Sequence, residues 1–562
     1  MSHDHHDSRL PQGPLMWVIS LAAGLLLGWV LTLVAPAQYP DAAHTEDASV
    51  QVTNDHAEPD HPRPIEIASA GDELDLQGLT VPHDPHHEPG DQTPDGHAES
   101  HDDAHAADHH GPSPTIPLWL VIPFALLLGS IALMPFINER AWHHHFPDFA
   151  FFLGGITLAY YLIGFSQPGY SHGMTYGEYQ MTHVGLEYYS FIALIGGLFV
   201  ASGGIHIDVQ GRGRPVVNTV ILAIGAVIAN IVGTTGASVL LIRPFMRVNK
   251  GRLKPIHVVM FIFIVSNCGG ALTPIGDPPL YLGFLKGVPF EWTLLHLWPM
   301  WATCIGLLLA IFFAIDTRIG RGESAAPEAS LADADNPQRL ANPDRVRVRI
   351  SGMSGIIALG LIIFGVFIDP MLKGFFGISG FPFGATFQIL VAIGAYAVAS
   401  RENLKANEFN FFPVKEVGLL FVGIFTTMAP ALGYLASHGA ELGLDSPTKF
   451  FFGTGLLSGV LDNAPTYLNF LQVAFAAQDL DLNPDNVHAF LDTSTGIHDL
   501  VAISLGAVFF GAMTYIGNGP NFMVKAIAES SGLRMPSFFG YFARALVILF
   551  PVLLIVWFIF VR

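Results

Sequence analysis

Gly270-Ala271-Leu272-Thr273-Pro274-Ile275-Gly276-Asp277-Pro278-Pro279 returns 241 positions later as Gly511-Ala512-Met513-Thr514-Tyr515-Ile516-Gly517-Asn518-Gly519-Pro520. Gly, Ala, Thr, Ile, Gly and Pro stand at matching places, and each copy lies inside a long apolar segment. Gly and Pro interrupt a helix, so each copy reads as an unwound break within a membrane span. Lipid does not tolerate unpaired backbone groups. Paired broken helices in two halves of a chain therefore point to a transporter's binding site, buried in protein.

Composition supports a polytopic membrane protein: 51% of residues are hydrophobic, 13% are charged and 43 are Phe. A soluble enzyme is excluded on these figures. The formal charge of −20 is local, because residues 36–115 hold 18 Asp and Glu against the single Arg63. That segment also carries 11 of the 25 His and many Pro, a composition that cannot bury a core. Cys268 and Cys304 are the only cysteines, which rules out a disulfide framework.

Apolar runs of about 20 residues suit a bilayer core of about 30 Å. They place spans near 15–35, 116–136, 148–166, 187–207, 256–285 and 293–316, then 352–370, 381–400, 415–435, 496–527 and 538–560. Two further segments, 215–247 and 448–476, are interrupted by small or polar residues. The first is bracketed by Arg212 and Arg214 before it and Arg247, Lys250, Arg252 and Lys254 after it, so both ends read as cytoplasmic. The second is bracketed by Glu441 and Asp445, then Asp479, Asp481 and Asp485, so both ends read as external. Each is thus a re-entrant hairpin, and the two enter from opposite faces.

The expected fold is all-α, with about 11 spans: two inverted five-span repeats, each with a hairpin and a broken helix, plus one extra N-terminal span. The domains are an anchor at 1–35, an external acidic His-rich loop at 36–115, a first repeat at 116–316, a cytoplasmic linker at 317–350 and a second repeat at 351–562. The N-terminus falls inside, and the loop and C-terminus outside. Val34-Ala35-Pro36-Ala37 resembles a signal-peptidase site, but the single Arg9 before it and the long apolar run favour retention.

Hairpin tips from opposite faces and two broken spans converge near the midplane. There the sequence offers Thr234, Thr235, Ser238, Asn267, Thr273, Gly276, Asp277, Asp462, Asn463, Thr466, Thr514 and Asn518. These stretches contain no Lys or Arg, and side-chain oxygens with free backbone carbonyls suit a hard cation. Asp277 and Asp462 are costly within a span, by roughly 2.5–3.5 kcal/mol on insertion scales, and carry a functional reading. Each could instead cap the half-helix that follows it. A carboxylate binding a proton and a sodium ion in turn gives obligatory exchange, because two cations compete for one charge.

These residues carry a resemblance. The inverted repeats, the opposed hairpins and Pro274-Ile275-Gly276-Asp277 after Ser266-Asn267-Cys268-Gly269-Gly270 resemble the ion-transporter superfamily. Within it the chain is similar to NhaD-type sodium/proton antiporters and to the related citrate transporter group, over about residues 116–560. The resemblance implies a sodium (or lithium)/proton antiporter of the bacterial inner membrane. It further implies a transport domain of hairpins and broken spans moving as an elevator against a scaffold, in a homodimer. Asp462-Asn463-Ala464-Pro465 matches the family's acidic hairpin tip. Thr234-Thr235 stands where relatives place an Asp-Asn pair, and Asn518 stands in place of a second Asp. The alternative on the same fold is a carrier of citrate-like carboxylates or metalloid oxyanions such as arsenite. An intramembrane aspartyl protease would need Gly-x-Gly-Asp, and Pro274 replaces its first Gly. The expected partners are the lipid bilayer, a second copy and small inorganic cations, with no nucleic acid; no cofactor is expected beyond the transported sodium ion and proton.

Two histidine groups remain. His83, His86, His87, His97, His101, His105, His109 and His110 lie among Asp residues, as a zinc-, nickel- or copper-binding loop or as a solvated spacer. Composition alone favours the spacer. His172, Glu178, His183 and Glu187 read as a wetted outer loop rather than a proton path.

Overall fold

The computed structural model describes residues 14–39, 113–171, 173–211, 213–322 and 347–562. The His-rich loop, His172 and most of the 317–350 linker lie outside these. Nine helices among the described residues are long and apolar enough to cross a membrane. A tenth is added if Met353–Val366 and Ile368–Phe376, bent by 42°, count as one. The expected broken span at 256–285 is not among them, because its helical pieces, Pro255–Ile264 and Pro278–Leu285, are short.

Helix Pro14–Val34 lies along helix Ile122–Ala159, which is itself divided at Asn138 (φ −155°, ψ 83°) into two spans. Small residues permit the close approach: a Cβ on Gly24 would meet the Phe152 carbonyl oxygen at 2.1 Å, and one on Gly28 the Ile156 oxygen at 2.4 Å. The N-terminal span is thus packed as part of the bundle. Just past its end Gln38 pairs with Thr115 in an antiparallel bridge.

Pro215–Val248 carries a helical hydrogen-bond pattern throughout, yet Gly233 at its centre has φ 75°, ψ 157°. The Gly213 amide donates to the Val248 carbonyl at 2.8 Å. Asn218 Nδ2 likewise reaches Asn249 Oδ1 at 2.8 Å. A straight helix of 34 residues would hold these ends about 50 Å apart, so the segment is a hairpin. The second hairpin pairs Pro447–Ser458 with Asn463–Ala476, and Gly453 sits against Phe470 across it.

Helix Phe412–His438 shows that the two enter from opposite ends. Just before it, Glu408 and the Ala406 carbonyl bind Arg243 and Arg247 at the base of the first hairpin. Just after it, Gly439 packs on Val473 and Ala476 at the base of the second. The 27-residue helix between is about 40 Å long.

One element departs from the all-α expectation. Strands β1 (His206–Gln210) and β2 (Arg347–Ser351) form an antiparallel ribbon joining the two halves, with His206 opposite Ser351. Asn403 and Asn407 brace it by donating to the carbonyls of Gly203, Gly204 and Ile205.

Candidate functional site

The two breaks are built alike. In the first, Thr273 Oγ1 accepts from the Gly276 amide at 3.1 Å; in the second, Thr514 Oγ1 accepts from Gly517 at 3.2 Å. Each loop turns back so tightly that its two glycines touch. A Cβ on Gly276 would lie 2.1 Å from the Gly270 oxygen, and one on Gly517 would lie 2.7 Å from the Gly511 oxygen. The repeated sequence is therefore a repeated turn.

Asp277 and Asn518 occupy equivalent places after these turns and meet. Asp277 Oδ1 accepts from Asn518 Nδ2 at 2.9 Å and from Thr234 Oγ1 at 2.8 Å, while Oδ2 accepts from Asn463 Nδ2 at 2.7 Å. Thr234 follows the first hairpin turn and Asn463 belongs to the second, so all four interrupted elements supply one group each. Asp277 is 1% exposed, and the three side chains bound to it are neutral. Asp277, Asp462 and Asn518 each stand immediately before a helix, which brings three positive helix ends towards this point.

The backbone carbonyls expected to be free at the breaks are largely taken. Asn230 and Trp301 both donate to Gly269, Thr293 donates to Leu272, Tyr541 to Ala512, and Asn521 to Gly511 and Thr514. What remains is different. Asn267 Oδ1 and Asn463 Oδ1 are buried and accept no hydrogen bond from any described residue. The two amides flank Gly511, whose added Cβ would lie 3.3 Å from Asn267 Oδ1 and 3.4 Å from Asn463 Nδ2. The unsatisfied atoms at the centre are thus acceptors, as a desolvated cation requires.

Other residues named from the sequence are distributed around this centre. Ser238 bonds Ser266 at 2.7 Å, and Gly276 receives the Thr234 amide at 2.8 Å. Thr235 faces a small cavity shared with Ile195, Leu198 and Ile275. Asp462 caps the second hairpin's returning helix by accepting from Ala464 at 3.3 Å, and Thr466 bonds the Asp462 carbonyl in the same turn. Neither bonds Asp277. Asn230, Ser266 and Asn521 were not among the sequence candidates, although Asn521 is central: it receives Asn267 Nδ2 at 2.6 Å and holds the second break. An Asn one helical turn past Gly517-Asn518 was the available signal.

The outer series proves structural in part: Glu178 and Thr175 form a reciprocal cap, and Glu187 pairs with Lys286 at 2.6 Å. The loop histidines lie outside the described residues. Among the described residues, no group of three or more His, Cys, Asp or Glu is placed to hold a metal ion.

Two opposed hairpins and two broken spans meeting on one buried carboxylate define a membrane transporter. A family model described as "Putative citrate transport" matches residues 113–561, and the chain belongs to that family. Similar curated proteins include a 46 kDa membrane protein of Mycobacterium leprae, 24% identical over 58% of this chain and 71% of its own length. Uncharacterized transporters of Mycobacterium bovis and Mycobacterium tuberculosis are each 24% identical over 60% of this chain and 74% of their own.

Proposed function

We propose that the chain exchanges sodium or lithium for protons at Asp277. The observation that carries this reading is the pairing of a buried carboxylate, held only by neutral donors, with the two unsatisfied amide oxygens of Asn267 and Asn463. A charge in such a place needs a compensating cation. A proton on Asp277 satisfies the carboxylate alone; a sodium ion engages carboxylate and amide oxygens together. The two compete, so loading one releases the other. Because both hairpin tips contribute, displacement of the hairpins and broken spans as one body carries the site intact, in the elevator manner and within a homodimer of the bacterial inner membrane.

A second reading is a carrier of citrate-like carboxylates. The family's description and the three helix starts at the site favour it. Proteoliposomes holding an internal pH dye decide between them. Sodium- or lithium-driven proton movement that vanishes in Asp277→Asn supports exchange. Silence with monovalent cations and a response to citrate or arsenite would overturn it.

A further inference from the structure

A groove of about 470 Å³ opens beside helix Arg401–Ala406, lined by Tyr396, Arg401, Leu404, Lys405, Glu408 and Phe409. That volume is within the usual range for small-ligand sites, about 300–1,000 Å³. Arg401 and Lys405 are one helical turn apart and share a face. Arg401 lies 5.5 Å from the centre of the Tyr396 ring, and among the described residues neither cation pairs with a carboxylate. Glu408, the acidic group in the groove wall, is already engaged by Arg243 at 2.7 Å. The floor is apolar: Leu404 is buried, and Phe409 packs at 6.0 Å on Tyr396.

The position of this groove matters as much as its charge. It begins where the apolar helix Phe383–Val398 ends, and Lys and Arg just past the end of an apolar helix suit the level of lipid headgroups. Leu390, Ile393 and Val398 of that helix are 63%, 63% and 67% exposed, an apolar surface on the helix that leads into Tyr396 and Arg401. Two unpaired cations beside an apolar surface complement a phosphate carried on acyl chains.

We propose that this groove binds the headgroup of an anionic phospholipid, phosphatidylglycerol being the simplest, with Arg401 and Lys405 on the phosphate and the acyl chains along Leu390, Ile393 and Val398. The proposal is independent of what is transported. Glu408 joins the groove to Arg243 of the first hairpin, so the bound lipid sits one ion pair from a transporting element.

Native mass spectrometry of the full-length protein, released from micelles containing phosphatidylglycerol and phosphatidylcholine, tests it. Wild type is expected to keep one phosphatidylglycerol at collision energies that strip phosphatidylcholine. Arg401→Gln with Lys405→Gln should weaken that retention by roughly tenfold or more, while Arg401→Lys with Lys405→Arg preserves it. Equal retention of both lipids by wild type overturns the proposal, as does unchanged retention in the Gln variant. The wild-type comparison stands alone if that variant does not fold. Displacement by millimolar inorganic phosphate would overturn the lipid assignment in favour of a soluble anion.

Discussion

Asp277 and Asn518, 241 residues apart at equivalent positions of the two repeats, are hydrogen-bonded to each other at 2.9 Å. The pseudo-twofold relationship therefore brings together one carboxylate and one amide. An Asp at both places would set two like charges in contact, and an Asn at both would remove the charge. The asymmetry leaves one carboxylate at this symmetric pair, with a donor already aimed at it.

Asp277→Asn should leave a folded protein with no exchange above the protein-free background. Asp462→Asn should keep stability within about 0.5 kcal/mol, because Asn and Asp cap equally well, and should raise the half-saturating cation concentration several-fold. Size-exclusion profiles and dye-monitored exchange check both. Full activity in Asp277→Asn would sink the carboxylate mechanism.

Replacement of the paired glycines should be costly. Gly276→Ala places a methyl 2.1 Å from the Gly270 oxygen and Gly517→Ala one 2.7 Å from the Gly511 oxygen. Overpacking of this kind costs about 1–3 kcal/mol, more where backbone must move. Gly129→Ala and Gly306→Ala, with nothing within 4 Å, are the controls. Thermal unfolding in detergent should rank Gly276→Ala lowest and the controls at wild type or above.

Asn463→Ala removes one donor to Asp277 and one unsatisfied oxygen. A hydrogen bond to a charged group contributes about 1.5–3 kcal/mol, so apparent cation affinity should fall by roughly tenfold to a hundredfold. Thr466→Ala, whose hydroxyl bonds only its own helix, should leave that affinity within about twofold. Titration of exchange against sodium concentration separates the two.

Opposed hairpins make a labelling prediction. With Cys268 and Cys304 replaced by Ala, Lys250→Cys at the base of the first hairpin should react with an impermeant maleimide only in inside-out vesicles. Lys449→Cys, in the first turn of the second hairpin, should react only in right-side-out ones. Labelling of both from one side would contradict the inverted arrangement.

The repeated Gly-Ala-x-Thr-x-Ile-Gly motif exposed the breaks, and charge at the hairpin bases exposed the hairpins, because both leave a local or periodic trace. Asp277 was legible because a carboxylate is rare within a span. Asn521 was read past: its place one turn beyond Gly517-Asn518 is the only local mark, and the bond to Asn267 that makes it a brace crosses 254 positions. The capping geometry of Asp462 was open for the same reason that a cap and a ligand use the same residue type. The β1–β2 ribbon was hidden because its five-residue strands, His206 to Gln210 against Arg347 to Ser351, lie at least 137 positions apart in register and show no alternation long enough to read.

That ribbon has a mechanical consequence. Its register joins residues 206–210 to 347–351, so the two strands that bracket the first hairpin and the first broken span in the sequence lie side by side in the frame. The first hairpin, the first broken span and helix Trp292–Gly322 are, in effect, a domain insertion with a closed neck. Gly211 (φ 140°) and Gly352 (φ 98°) stand at the two mouths of that neck, in conformations other residues resist. The first hairpin and the first broken span thus share one neck with the frame, and the ion pairs Arg243–Glu408 and Glu187–Lys286 tie them to it at two further points.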